Sequence, residues 1–140
     1  MQNIRPGRFK MWQYIQDSGW VLRPDGTLLG RGYSGAGAGR NNPSLENVAD
    51  VGPIPSGVYR IGDPQWHPLL GEYAIPLTPD VANDMHGRSD FWLHGESEIH
   101  PGAASKGCPV LALAYREAIV KSGDRGLRVV SGLGHKAISA

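Results

Sequence analysis

The chain is poor in the features that most often announce a function. Cysteine occurs once in 140 residues, at Cys108, so no internal disulfide can form and no Cys-x-x-Cys metal knuckle exists. The five histidines, His67, His86, His94, His100 and His135, fall into neither His-x-x-x-His nor His-Glu-x-x-His spacing. Charge is balanced, with 14 Lys and Arg against 13 Asp and Glu, a net of +1. That leaves no basic footprint for nucleic acid and none for an anionic membrane surface. No apolar run approaches the roughly 20 residues that span a bilayer. Arg5, Arg8 and Lys10 near the N-terminus precede no apolar stretch, so the segment does not read as a Sec signal peptide. The glycine-rich run from Ser34 to Pro43 lacks Gly-Lys-Ser/Thr and a preceding βα pattern. It reads as a surface or substrate-facing loop, not a phosphate cradle.

What is abundant is glycine and proline, 20 and 11 residues, spread along the chain instead of clustered. That distribution fits frequent turns between short strands better than a disordered linker. Strands are expected over 11–15, 20–23, 27–33, 73–77, 91–94 and 127–130, and a β-branched run follows Ser56-Gly57. Leu111, Ala114, Tyr115, Ala118 and Ile119 recur at the spacing of an amphipathic helix, and Gly123 stands where such a helix ends. The expectation is one domain over residues 1–140. It is mainly β with one principal helix, a small β-sandwich or barrel-like core. Cys108 then lies just before a helix N-terminus, whose partial positive charge favours thiolate.

The chemistry centres on His94-Gly95, at the end of the apolar run Phe91-Trp92-Leu93, and on Ser105-Lys106-Gly107-Cys108. A thiol needs a base to become a nucleophile, and a histidine from another element is the usual partner. His94 is the candidate base, and the N–H groups of Gly107 and Cys108 are candidate donors to a developing oxyanion. The cleft is expected between the glycine-rich loop and the segment from Asp84 to Phe91. On spacing alone a structural cysteine beside an unrelated histidine is an equal reading. A zinc site from His94, His100 and Cys108, or a zinc peptidase using His94, His100 or His86, is a weaker one. Asp84, Asp90, Glu96 and Glu98 read as solvated acids, and His67 and His135 as solvated surface histidines. The four Trp and five Tyr read as core and cleft wall.

His94-Gly95 followed by Ser105-Lys106-Gly107-Cys108 resembles the signature of the L,D-transpeptidase (YkuD-like) catalytic domain. The segment from Gly52 through Tyr59 resembles that family's upstream Thr-Pro-x-Gly-x-Phe/Tyr. Tyr33-Ser34-Gly35, Gly39-Arg40-Asn41-Asn42-Pro43, Asn47-Val48 and Ser105-x-Gly-Cys108 together resemble the type VI secretion L,D-transpeptidase effectors. The resemblance implies Cys108 as nucleophile on the carbonyl before the terminal D-alanine of a tetrapeptide stem, with a thioester intermediate. It implies His94 as general base, the Gly95 carbonyl as its orienter, and Ser105 and Gly107 as shapers of the loop. Lys106 replaces the family's second histidine, and Pro109-Val110 replaces Ile/Val-Arg, so the family's arginine is missing there. Substrate contacts are therefore expected from Lys106, Tyr33 and one of Arg88, Arg40 or Arg116.

The implied protein is a cysteine L,D-carboxypeptidase or L,D-transpeptidase without metal or organic cofactor. It is expected to leave its producer without a signal peptide and to act on peptidoglycan in the periplasm of a target bacterium. A cognate immunity protein is the expected partner, and neither nucleic acid nor membrane is. A catalytically inactive wall-binding module of the same fold is the alternative.

Overall fold

The computed structural model describes residues 11–97, 102 and 104–132. Eight strands form one sheet: β1 (Trp12–Ile15), β2 (Trp20–Leu22), β3 (Leu28–Arg31), β4 (Gly57–Ile61), β5 (Gln65–His67), β6 (Gly71–Pro79), β7 (Phe91–Leu93) and β8 (Gly126–Val130). The order is β3-β2-β1-β8-β4-β6-β5, with β7 also paired to β6. The sheet curls into a half-barrel around a single helix, α1 (Leu113–Ser122), so the fold is mainly β as expected. The last strand sits at the centre. β8 runs parallel to β1, with Trp12 opposite Leu127, and antiparallel to β4, with Tyr59 opposite Leu127.

Strand alternation decides which side chains fill the curl. Tyr59 and Ile61 of β4, Leu127 and Val129 of β8, and Phe91 and Leu93 of β7 point inward; Arg60, Arg128 and Trp92 point the other way. Each fully buried side chain of this size contributes about 1.5–3 kcal/mol. The inward pair of β7 therefore anchors a strand of only three residues, and with it the position of His94 just beyond.

The helix departs from the expected stripe. It starts at Leu113, after Ala112, and its buried residues are Arg116 and Ile119, while Ala114 is exposed and Leu111 precedes the helix. Gly123 closes it in a left-handed conformation, φ 77°, as its position suggested. Apolar spacing did not anticipate Arg116, because this arginine satisfies backbone carbonyls inside the fold. Its Nε donates to the Leu111 carbonyl at 3.1 Å, and its Nη1 donates to the carbonyls of Glu72 (3.1 Å) and Tyr73 (2.8 Å). A Cβ at Gly95 would stand 2.8 Å from Arg116 Nη2, so the residue after His94 has to be small. Replacing Arg116 by Met strands three carbonyls and is expected to cost about 3 kcal/mol, read as a lower urea midpoint at unchanged slope.

Candidate active site

Ser105-Lys106-Gly107-Cys108 is a loop fixed by two buried hydroxyls. Ser105 Oγ accepts from the N–H of Gly35 (2.8 Å) and of Gly107 (2.9 Å), and donates to the Cys108 carbonyl (2.6 Å). Ser34 Oγ donates to the Gly107 carbonyl (2.5 Å) and accepts from the Ile54 N–H (2.9 Å). Beneath them lies the guanidinium of Arg88, itself buried. Nη1 donates to the carbonyls of Glu46 (2.6 Å) and Pro53 (2.8 Å), and Nη2 to those of Gly52 (3.0 Å) and Lys106 (3.4 Å). Gly107 has φ 129°, and a Cβ there would collide with Arg88 Nη2, so only glycine serves. One expected role needs correction: the Gly107 N–H is engaged by Ser105 Oγ. Among the described residues, none accepts from the Cys108 N–H.

Cys108 is half-buried, and its Sγ accepts from the Trp92 N–H at 3.3 Å, with the Asp90 carbonyl at 3.7 Å. Burial pushes the thiol up to about 11. The Trp92 N–H and the Arg88 charge act against this, and the Asp90 charge acts with it. The expected lowering by a helix N-terminus is therefore overturned. Helix α1 begins five positions after Cys108, because the intervening chain is bound to β7 instead.

That binding brings the two chemical residues together. The His94 N–H donates to the Pro109 carbonyl (3.2 Å), and the Leu111 N–H to the His94 carbonyl (2.9 Å). His94 and Val110 thus form a parallel bridge, while Tyr33 and Val110 exchange N–H to carbonyl bonds across an antiparallel one. In this register Cys108 falls beside Trp92, two residues before His94. The imidazole is 3% exposed, and its Nδ1 lies 2.9 Å from the Gly95 carbonyl. A carbonyl only accepts, so Nδ1 carries the proton and Nε2 is left as the basic nitrogen. Burial chiefly holds His94 below its usual 6.5. The Gly95 carbonyl and the Glu96 charge act against this, and the Arg116 charge acts with it. The resting pair is a neutral thiol and a neutral imidazole. Sγ is bonded to Trp92, not yet to His94.

Cys108 lines an open cavity of about 370 Å³ together with Arg88, Lys106, Trp92 and the segments 49–50, 67–70 and 87–91. Of the expected wall from Asp84 to Phe91, only Gly87 to Phe91 line the cavity. The glycine-rich loop is not. Through Ser34 and Gly35 it supports the cysteine loop from behind, and its middle forms two 3-10 turns, Gly37–Gly39 and Pro43–Leu45. Lys106 is exposed at the rim, and the Nη donors of Arg88 are spent on carbonyls. Tyr33 and Arg40 stand outside the cavity lining. The Tyr33 hydroxyl donates to Glu96 (2.6 Å) and accepts from the Ala104 N–H (3.0 Å). Arg40 stacks 4.2 Å over the Tyr33 ring. Together they brace the loop between His94 and Cys108.

His67 corrects the reading of it as a surface histidine. It lines the cavity, and its ring meets that of Trp92 edge-on at 4.8 Å. His86 sits between Glu46 (3.0 Å) and Asp84 (3.5 Å). His100, His135 and Glu98 lie outside the described residues. Among the described residues no three His, Cys, Asp or Glu side chains are grouped to hold a metal ion. Sequence reasoning also missed Asp50, an exposed carboxylate on the wall at φ 63°, for which no motif gave a signal.

The chain matches the family model of the Tlde1 domain over residues 30–130. It belongs to the Tlde1 domain family. This is a family of type VI secretion effectors. No curated protein and no solved structure matches the chain. The Tlde1 match runs from β3 through β8 and so contains every residue of the cavity and of the two loops behind it, while β1 and β2 lie ahead of it.

A buried neutral thiol gives a clear pH signature. Iodoacetamide alkylation of Cys108 is expected to rise about tenfold per pH unit from 7 to 9, because the thiolate fraction follows a pKa of about 11. A plateau below pH 8 would show a preformed thiolate instead.

Proposed function

We propose that this Tlde1 domain is a cysteine-dependent peptidoglycan L,D-carboxypeptidase or L,D-transpeptidase acting as an antibacterial effector. The observation that carries the reading is the backbone bridge that sets the segment just after the cavity-lining Cys108 against His94, a buried imidazole whose tautomer the adjacent carbonyl sets. A proton-accepting Nε2 close to a thiol is what nucleophilic acyl transfer needs.

In this mechanism Cys108 Sγ attacks the carbonyl carbon of the peptide bond before the terminal D-alanine of a tetrapeptide stem. His94 Nε2 takes the thiol proton as the sulfur–carbon bond forms. The tetrahedral intermediate collapses, the carbon–nitrogen bond breaks, and the same proton goes to the departing D-alanine amine. The resulting thioester is released by water, giving the shortened stem, or by an amine, giving a new amide. In both cases His94 takes the proton of the incoming group and returns it to the sulfur. The Arg88 charge behind the loop favours the negative charge that develops on sulfur during attack. Action in the periplasm of a target bacterium, and neutralisation by a cognate immunity protein, follow from the effector reading.

A wall-binding module without catalysis is the second reading, and the raised thiol pKa is the observation that favours it. Peptidoglycan carrying tetrapeptide stems separates the two. Wild type is expected to remove the terminal D-alanine, or exchange it for another D-amino acid, as seen by mass spectrometry of the muropeptides. Cys108→Ala and His94→Ala should each lose activity by at least about a thousandfold, and a chelator should have no effect. Intact stems with all proteins would reject the enzyme, and chelator-sensitive activity that survives Cys108→Ala would reject the cysteine.

A further inference from the structure

His67 carries a feature that thiol and base do not use. Its Nδ1 accepts two backbone hydrogen bonds from its own turn, the Leu69 N–H at 3.0 Å and the Leu70 N–H at 3.2 Å. A nitrogen that accepts twice carries no proton, so the ring's proton is on Nε2. This is the opposite tautomer to that of His94. The Nδ1 edge is turned back on the β5–β6 connection, and the ring is held edge-on against Trp92, with 74° between the planes. Trp92 in turn binds Cys108 Sγ through its N–H. One donor, Nε2–H, is thereby left on a half-buried ring in the wall of the cavity that Cys108 lines.

The cavity has a use for such a donor. A tetrahedral intermediate is stabilised by preorganised donors at the developing oxyanion. Of the two N–H groups in the cysteine loop, that of Gly107 is engaged by Ser105 Oγ, which leaves the Cys108 N–H alone. We propose that His67 is a catalytic residue whose Nε2–H donates to the acyl oxygen of the bound substrate, supplying the second donor that the cysteine loop withholds. His94 and His67 then divide the work: one neutral imidazole accepts the thiol proton, the other stabilises the oxygen without giving up its own. This rests on the acyl-transfer reading of the site, though not on the identity of the acyl donor.

The test compares two reactions of the same sulfur at one pH. Acetylation of Cys108 by p-nitrophenyl acetate passes through an oxyanion; alkylation by iodoacetamide does not. Both are followed by intact mass, with Cys108→Ala as the blank. His67→Phe is expected to slow acetylation about tenfold or more while alkylation stays within about twofold of wild type, and His67→Gln, which keeps an N–H donor, should recover part of the loss. Equal loss in both reactions would mean that His67 only shapes the wall, and no loss in either would mean that it takes no part; each overturns the proposal. His67→Leu, which also lacks a donor, gives the same comparison should the Phe variant not fold. The ester carries no peptide stem. A wild type that is acetylated at Cys108 yet leaves muropeptides intact therefore rejects the peptidoglycan reading separately from the role of His67.

Discussion

The arrangement depends on one buried cation that has been given carbonyls in place of a carboxylate. Arg88 reaches the backbone of Glu46, Gly52, Pro53 and Lys106, so a single side chain ties the proline-rich approach to β4 to the loop that carries Cys108. Withdrawing a guanidinium from water costs several kcal/mol unless its donors are satisfied. Here four carbonyls take the Nη donors, and among the described residues no contacting acid neutralises the charge. That charge faces the thiol and lowers its pKa against burial. The same contact that builds the loop therefore favours negative charge on sulfur when it develops, and it explains why position 107 has room only for glycine.

The second constraint is the neutral state of both reacting groups. Burial raises the thiol and lowers the imidazole, so the ground state carries no ion pair in a cavity walled by Leu69, Leu70, Phe91 and Trp92. In the proposed mechanism the thiol stays unreactive until a substrate carbonyl arrives and the proton moves to His94 Nε2. The Gly95 carbonyl makes that direction of transfer the available one, and the Arg116 guanidinium packs close to Gly95.

Much of this was legible in the sequence because it rests on local signals. Turn residues bounded most of the strands, Gly123 marked the end of the helix, and His94-Gly95 with Ser105-x-Gly-Cys108 marked the chemical pair. What was not legible depends on contacts between distant segments. Arg88 and Arg116 stand as candidate substrate contacts in a linear reading, and only folding turns them toward carbonyls. The start of α1 was misplaced because Pro109–Leu111 is apolar enough to continue a helical stripe, yet it pairs with Tyr33 and His94. The glycine-rich loop seemed to face substrate, while its function in the fold is to hold Ser105. β5 escaped notice because Gln65-Trp66-His67 is short and followed by proline, and His67 escaped with it. Apart from β5, whose partner β6 is near in sequence, a contact with a distant segment decided the outcome.

The central claim is that Cys108 and His94 rest as a neutral pair with the proton on Nδ1. Long-range proton–nitrogen correlation spectra of the histidine rings at neutral pH test it most directly, with His94→Gln used for assignment. The account predicts a His94 ring protonated at Nδ1 alone and unprotonated at Nε2, unchanged when Cys108 is replaced by serine. A doubly protonated His94 that loses a proton in Cys108→Ser would reveal a resting thiolate–imidazolium pair and contradict it.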